Sequence, residues 1–385
     1  MHFLKLVLRN ALRHKLRTGL TVLGLVVAIL SFGLLQTVVD AWYSGAAAAA
    51  PTRLVTRNAI SLTFPVPLHY REKIKAVDGV ESVAAANWFG GIYQDPKNFF
   101  PQFAVDAVPY FAMYPEFVVP EDDFRAFLRD RKGAIVGQKL ADVHGFKVGD
   151  TIPLKGQIYP GTWEFTIRGI YRGGEPRTDT STMFFHWDYL NETMRRGSRT
   201  RANQVGVFVV DIADAERSAE ISAVIDALFA NSIAETRTET EQAFQLGFVA
   251  MTGAIVTAIR VVSFVVIVII LAVMANTMAM TARERLSEYA TLKALGFPPS
   301  YVGWLILGES LAIALIGAAI GVALTFPVGD WFAGLVGTLF PVFEVSRETV
   351  VLQFVCAVVV GLAAAVVPVY RAATVNIVEG LRAIG

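Results

Sequence analysis

The stretch RERLSEYATLKALGFPPS, residues 283–300, is short and rich in charge, and it lies between two long apolar runs. It carries two arginines, two glutamates and a lysine, in a chain that is 54% apolar and only 17% charged. An uncharged run, residues 261–282, precedes it, and a second apolar run, residues 300–329, follows it. Each run reaches the roughly 20 apolar residues that cross a bilayer. The stretch is therefore predicted to be a brief exit from a membrane.

Two further apolar runs bring the predicted spans to four, at residues 18–42, 246–282, 300–329 and 349–370, where 246–282 includes a stalk. The predicted fold is a membrane protein with four transmembrane α-helices and a large α+β extracytoplasmic domain, residues 43–245, inserted between helices 1 and 2. The basic N-terminus and its apolar stretch could also be a signal peptide. That stretch is longer than the about 7–15 residues of a signal h-region, which favours a retained span.

Charge is distributed unevenly among the segments outside these spans. Residues 1–17 contain no acid and five bases, which are Lys5, Arg9, Arg13, Lys15 and Arg17. The positive-inside rule places this segment in the cytoplasm. The stretch 283–299 and the tail 371–385 are then cytoplasmic, and the loop 330–348 is outside. Apolar residues alternate with the bases of residues 1–17, which favours an amphipathic helix on the membrane surface, with a plain basic flank as the alternative.

The extracytoplasmic domain contains two similar strand–helix–strand patterns, at about residues 43–98 and 202–245. In the second, the β-branched segment NQVGVFVVDI, residues 203–212, precedes helical spacing at Ile221, Ile225 and Leu228. Two such halves can form one split sheet with helices on a face. The residues between them, about 99–201, are rich in strand and turn signals, so we expect an inserted, mostly β subdomain.

No catalytic or metal-binding constellation stands out in the sequence. The five histidines lack the spacing of metal ligands, and the single Cys356 allows no internal disulfide. The adjacent acids Asp122 and Asp123 are expected to be solvated. A net charge of +1 gives no general preference for nucleic acid. We therefore predict no catalytic residue, bound metal or cofactor, and an extracytoplasmic enzyme is unsupported.

The charged stretch is predicted to form a short amphipathic helix at residues 283–295. One face would carry Glu284, Ser287, Glu288 and Thr291, and the other Leu286, Tyr289, Ala290 and the stem of Lys293. Gly296 suits the helix end, and the prolines at 298 and 299 prevent its continuation. The carboxylates of Glu284 and Glu288 repel each other by roughly 0.2–0.5 kcal/mol unless basic groups offset them. This face is either a partner surface or the solvated side of a simple connector.

The segment TARERLSEYATLKALGFPPSYVGWLILGESLAIALIGAAIG, residues 281–321, resembles the signature of the FtsX-like, or MacB-type, permease family of ABC transporters. The family pattern R-x-R-x-x-E-x-x-x-L-[KR]-A-[LI]-G falls on Arg283, Arg285, Glu288, Leu292, Lys293, Ala294, Leu295 and Gly296. The ending PVYRAATVNIVEGLRAIG, residues 368–385, resembles the family's C-terminal motif, although Ile377 replaces a usual proline and Gly380 a usual alanine. The resemblance covers nearly the whole chain.

In that family the helix between spans two and three is a coupling helix that docks into a cytoplasmic ATPase. The resemblance implies this role for Arg283, Glu284, Arg285, Ser287, Glu288, Thr291, Leu292, Lys293, Ala294, Leu295 and Gly296. It also implies a role at the cytoplasmic tail for Arg371, Glu379, Leu381 and Arg382. The sequence contains no G-x-x-x-x-G-K-[ST] phosphate loop, so ATP and Mg are expected on a separate ATPase subunit.

Further expectations follow from the same resemblance. The chain is expected in the bacterial inner membrane, as a homodimer in contact with membrane lipid, with a possible periplasmic adaptor and outer-membrane duct. Gly317 and Gly321 form a small-xxx-small pair that permits close helix approach. Glu309 is an acid within span three, and a structural role is favoured over a functional one.

The expected function is mechanical coupling of ATP hydrolysis to movement of the periplasmic domain, for export or extraction of a lipophilic substrate, a lipoprotein or a peptide. The alternative is an FtsX-type signalling subunit that activates a periplasmic cell-wall hydrolase. The periplasmic domain, at about 200 residues the size of a full domain, is larger than we expect for signalling. A neighbouring gene for an adaptor or for a hydrolase would discriminate the two.

Overall fold

The computed structural model describes residues 7, 9–11, 13–175, 177–197, 199–336 and 342–374. The chain divides into two compact units. Among these described residues, those within 1–40, 253–335 and 343–385 form the helical unit, and those within 41–252 and 336–342 form the mixed α/β unit.

The α-helices of the described residues are, in chain order, α1 (Lys15–Ala48), α2 (Tyr70–Lys75), α3 (Ala107–Met113), α4 (Glu121–Arg129), α5 (Gln138–His144), α6 (Trp187–Gly197), α7 (Ser218–Leu228), α8 (Glu241–Met251), α9 (Gly253–Glu284), α10 (Leu286–Ala294), α11 (Pro299–Val336) and α12 (Arg347–Thr374). The strands are β1 (Arg53–Asn58), β2 (Val66–Pro67), β3 (Val80–Trp88), β4 (Gly91–Ile92), β5 (Gln102–Val105), β6 (Phe117–Val118), β7 (Gly133–Gly137), β8 (Thr151–Gly156), β9 (Gly161–Gly173), β10 (Met183–His186), β11 (Gln204–Val205), β12 (Val207–Ile212) and β13 (Thr236–Thr240).

Among the described residues, four helices, α1, α9, α11 and α12, are long and apolar enough to cross a membrane. This confirms the prediction of four spans with a large mixed α/β domain between the first and second. The segment predicted as a stalk and second span, residues 246–282, includes the end of α8, which stops at Met251, and most of α9, which begins at Gly253. The third span continues to Val336, beyond its predicted end at residue 329.

The pair Gly317 and Gly321 lies where α11 meets α1. A Cβ atom at Gly317 would stand 2.6 Å from Cβ of Leu25, and one at Gly321 would stand 3.0 Å from Cβ of Ile29. Real Cβ atoms do not approach a carbon atom at 2.6 Å, so only glycine fits this spacing at position 317. The two glycines therefore set the close approach of the first and third spans.

We expect Gly317→Ala to destabilise the helical unit by about 1–3 kcal/mol, because the added methyl group forces α11 away from Leu25. Gly334→Ala is the matched control, since it lies on the same helix and a Cβ there meets no atom within 4 Å. Thermal unfolding of both variants in the same detergent measures the difference. Equal unfolding temperatures for the two variants would contradict the close packing.

The mixed α/β unit is built on one large sheet with the strand order β13-β1-β12-β3-β5-β10-β7-β9-β8-β4. β1 pairs antiparallel with both β12 and β13, and β12 pairs antiparallel with β3. Helix α2 lies between β1 and β3 in the chain, and α7 lies between β12 and β13. The two strand–helix–strand halves are thus interleaved at one end of the sheet, in the split arrangement of β-α-β-β-α-β folds.

Both faces of this sheet are covered. Along β12, Phe208 and Val210 enter one apolar core, which also contains Ile74 of α2 and Ile225 of α7. Val209 enters a second core on the opposite face, with residues of α3 and α4. Successive side chains of a strand point to opposite faces, so a strand buried on both sides is a continuous apolar run. This explains the sequence VFVV in β12.

The interpretation of residues 99–201 as an inserted, mostly β subdomain is wrong about its secondary structure. Strand β5 pairs with β3, so the inserted strands extend the same sheet. The region also contains four helices, α3 to α6, beside its strands. These helices have only 7 to 11 residues each, too short for helical periodicity to stand out from the neighbouring strands.

Candidate functional site

The connection between the second and third spans turns at Arg285. This residue separates α9 from α10, with φ −106° and ψ 15°. Its N–H donates to the Thr281 carbonyl at 3.2 Å, and its carbonyl accepts from the Tyr289 N–H at 3.1 Å. The predicted helix at residues 283–295 therefore begins later than expected. Arg283 and Glu284 belong to the last turn of α9, because the hydrogen bonding of the span continues through them.

Arg285 and Glu309 form a buried ion pair that joins this turn to the third span. The two residues are 6% and 3% exposed, and Nη1 of Arg285 lies 2.7 Å from Oε2 of Glu309. Nε of Arg285 also donates to Glu288 at 2.9 Å, and its guanidinium lies 5.4 Å from the ring centre of Tyr289. Burial alone lowers the pKa of Arg285, but Tyr289, Glu288 and Glu309 outweigh it and raise the pKa above its usual value. The guanidinium is therefore permanently charged.

The two glutamates of the predicted polar face are paired within the chain. Glu284 accepts two hydrogen bonds from Arg17, both at 2.7 Å. Glu288 accepts from Arg285 and from Arg13. Burial raises the pKa of Glu288, but the hydrogen bonds from Arg285 and Arg13 outweigh it and lower that pKa below its usual value. The repulsion expected between the two carboxylates is thus offset by the basic N-terminal segment.

Helix α10 ends in a Schellman motif. Gly296, at φ +93°, donates its N–H to the Lys293 carbonyl at 3.0 Å, and Phe297 donates to the Leu292 carbonyl at 3.1 Å. Nζ of Lys293 donates to the Ala373 carbonyl at 2.9 Å, which ties α10 to the end of α12. Glycine adopts positive φ without the steric cost of a Cβ atom, so it suits the position after the helix.

The surface that α10 leaves open is its C-terminal turn. Thr291, Ala294, Leu295 and Phe297 are exposed there, and we call these four residues the exposed turn. Leu295 is 72% exposed and Phe297 is 41% exposed. In contrast, Tyr289 and Ala290 are buried, and Ser287 and Leu292 are half-buried. Of the predicted tail residues, Arg371 lies in α12, whereas Glu379, Leu381 and Arg382 lie outside the described residues.

Sequence reasoning missed Arg13 and Arg17 as partners of the charged stretch, and Phe297 as part of its open surface. A signal for the arginines was present. Arg13 and Arg17 are four residues apart, and so are Glu284 and Glu288. Matching spacing on two segments permits two ion pairs side by side, and Arg13 pairs with Glu288 while Arg17 pairs with Glu284.

A second buried ionic network lies in the mixed α/β unit, around Arg53 of β1. Nε of Arg53 lies 2.6 Å from Oε2 of Glu241, the first residue of α8. Its other nitrogens donate to Glu116 at 2.7 Å and to the Met113 carbonyl at 2.9 Å. The guanidinium stacks over the Tyr114 ring, whose hydroxyl also donates to Glu241 at 2.8 Å. The network thus joins the first strand, the helix before the second span, and the segment between α3 and β6.

Relatives match a limited part of this chain. A Pseudomonas syringae protein named "Probable syringafactin export ATP-binding/permease protein SyfD" is 32% identical over 106 residues, which are 28% of this chain and 16% of that protein. A macrolide export ATP-binding/permease protein, MacB, of Psychrobacter cryohalolentis is 27% identical over the same shares. The periplasmic region of MacB from Actinobacillus actinomycetemcomitans aligns with 52% of this chain and 94% of its own, at 8% identity and a TM-score of 0.36. The chain thus spans about one sixth of the length of the relatives it matches in sequence.

Family models match most of the chain. The model of the MacB-like periplasmic core domain matches residues 18–228, which is more than half of the chain. The model of the FtsX-like permease C-terminal region matches residues 260–377, which include the Arg285 turn and the last three spans. The chain therefore belongs to the FtsX-like, MacB-type permease family of ABC transporters.

Proposed function

We propose that this chain is the permease subunit of a MacB-type exporter and transmits force from a separate cytoplasmic ATPase to its periplasmic domain. Members of the family are permease subunits of ABC transporters and work with ATPase partners. One observation carries the proposal. Helix α10 is fixed to α11 through Arg285, to α12 through Lys293 and to Arg13 of the N-terminal segment through Glu288, while its last turn remains open to a partner.

The attachment of α10 makes it a rigid element. The Arg285–Glu309 pair fixes its beginning to α11, and Lys293 fixes its end to α12. Glu288 of α10 pairs with Arg13, and Glu284, in the last turn of α9, pairs with Arg17. A buried, charge-assisted hydrogen bond resists displacement more strongly than a solvated one. Displacement of α10 by a partner is therefore passed to the spans instead of bending the connection.

The exposed turn presents side chains that a partner protein could bind. Leu295 and Phe297 present apolar surface beside the polar Thr291, and Gly296 lets the main chain turn closely. Protein interfaces take most of their binding energy from a few side chains that become fully desolvated. We infer that the ATPase receives this turn in an apolar cleft, and that the acidic face of α10 serves internal pairing.

The wider assignment follows the family. The chain acts at the bacterial inner membrane with both termini in the cytoplasm, as a homodimer that matches two ATPase subunits. Its cargo is a lipophilic molecule, a lipoprotein or a peptide, passed onward with a periplasmic adaptor and an outer-membrane duct. The names of two relatives, a syringafactin exporter and a macrolide exporter, support lipophilic cargo.

Leu295→Asp should weaken capture of the ATPase from the same gene cluster by about 30-fold, because a docked aspartate would be buried without a partner at a cost of about 2 kcal/mol. Ile60→Asp is the matched control, since Ile60 is an aliphatic residue of the mixed α/β unit that is 82% exposed. Both variants should fold, and the control should bind normally. Binding is measured with purified full-length chain in lipid nanodiscs, together with ATP hydrolysis.

Two outcomes would change the assignment. If Leu295→Asp captured the ATPase as tightly as the control, the exposed turn would not be the docking surface. If the assembled complex stimulated peptidoglycan hydrolysis without moving any cargo, the signalling alternative would replace export.

A further inference from the structure

A groove opens between the inner ends of α9 and α12. It encloses about 510 Å³. The apolar residues that line it include Ala282, Leu286, Pro368 and Ala372. Arg283 and Arg371 also line it, and both are exposed. The groove therefore combines an apolar trough with two guanidinium groups.

The carboxylates nearest in the chain are already neutralised by other arginines. Glu284, next to Arg283, holds Arg17 in a bidentate pair. Glu288 pairs with Arg13 and Arg285, and Glu309 pairs with Arg285. Within the described part of the chain, Arg283 and Arg371 are in no ion pair with a carboxylate. The groove thus carries two positive charges that the described chain does not balance.

The groove's residues come from the last turns of two apolar spans. Arg283 follows the uncharged run 261–282, and Arg371 follows the run 349–370. In a bilayer, arginines at the ends of such runs lie at the level of the lipid headgroups. The guanidinium fork matches the oxygens of a phosphate and forms two hydrogen bonds to it. Basic pockets between spans on the cytoplasmic side are suited to anionic phospholipids.

We propose that this groove is a binding site for one anionic phospholipid of the inner leaflet. Arg283 and Arg371 bind its headgroup phosphate, and an acyl chain lies along Ala282, Leu286 and Pro368. The proposal goes beyond the transport function and assigns these two arginines to lipid, although the family resemblance places both in the coupling region. Within the motif R-x-R, the two arginines then differ in role, since Arg285 is buried in an ion pair.

Native mass spectrometry of the full chain tests this. The protein is offered equal amounts of phosphatidylglycerol and phosphatidylcholine with identical acyl chains. The wild type should retain phosphatidylglycerol preferentially. The double variant Arg283→Gln/Arg371→Gln should lose that preference by about 25-fold, as expected for two arginines that each strengthen binding by about fivefold. Arg347→Gln, at the opposite end of α12, is the matched control and should keep it.

A conservative variant and a shortened chain complete the test. Arg283→Lys/Arg371→Lys keeps the charge and should retain most of the preference. A chain ending at Thr374 should bind like the wild type. The proposal is overturned if the Gln variant keeps the wild-type preference, or if it loses only ATPase capture, which assigns the arginines to the partner protein. It is also overturned if the preference arises only after residues 375–385 are removed, since those residues would then occupy the groove.

Discussion

Replacing Arg285 by methionine should destabilise the helical unit by about 3–5 kcal/mol, because it leaves the buried carboxylate of Glu309 without its counter-charge. The residue is 6% exposed and its guanidinium lies 2.7 Å from Glu309, so little water can take its place. The variant should also lose the hydrogen bond to Glu288, which holds α10 to the turn. Denaturant unfolding of the full chain in one detergent measures the loss.

The double variant Arg285→Met/Glu309→Leu distinguishes the cost of an unpaired buried charge from the cost of altered packing. Apolar residues of similar volume often replace a buried ion pair at little cost, so most of the lost stability should return. The double variant should nevertheless couple poorly, since α10 is no longer fixed to α11 by a directional contact. If Arg285→Met alone were as stable as the wild type, the ion pair would contribute nothing to the bundle.

A comparable loss, about 3–5 kcal/mol, is expected in the mixed α/β unit for Arg53→Met. Arg53 is 4% exposed and donates hydrogen bonds to Glu241, Glu116 and the Met113 carbonyl at the same time. Without it, the buried Glu241 keeps only the hydroxyl of Tyr114 from this network. Hydrogen–deuterium exchange of the full chain should show faster exchange in β1 and in the first turn of α8.

Arg125→Met provides the control for this second loss. Arg125 is also ion-paired, to Asp122 at 2.7 Å, but its side chain is 56% exposed. Exposed pairs contribute about 0–1 kcal/mol, so exchange in β1 should not change. Equal effects of Arg53→Met and Arg125→Met would show that burial of the network has no energetic consequence.

The architecture could be predicted because each span and each strand is indicated by residues that are close together in the chain. The runs 18–39 and 261–282 carry no charge, and length alone identifies them as spans. The segment VFVV of β12 is β-branched and apolar on both faces, as a strand covered on both sides requires. The limits of α8, α9 and α10 were harder to predict, because a single residue, Thr252 or Arg285, decides each break.

The internal pairing of the candidate site could not be predicted in the same way. Glu309 binds a residue 24 positions away, and Glu288 binds one that is 275 positions away. Pattern within one helix showed a like-charged face and suggested an external partner for it. The carboxylates of that face are instead neutralised by Arg13 and Arg17, from another part of the chain, and by the neighbouring Arg285. The matched spacing of Arg13 with Arg17 and Glu284 with Glu288 was the available clue.

The neighbouring positions of β1 and β13 make the mixed α/β unit exchangeable during evolution. These strands pair directly, with Leu54 opposite Thr240, and strands in a sheet lie about 4.8 Å apart. The first follows α1 in the chain and the second precedes α8, so the domain's two ends lie side by side. A domain with adjacent ends can be exchanged for another of the same kind without altering the helices that flank it. Exchange of the mixed α/β unit at this point would give the same four spans a domain with a different binding surface.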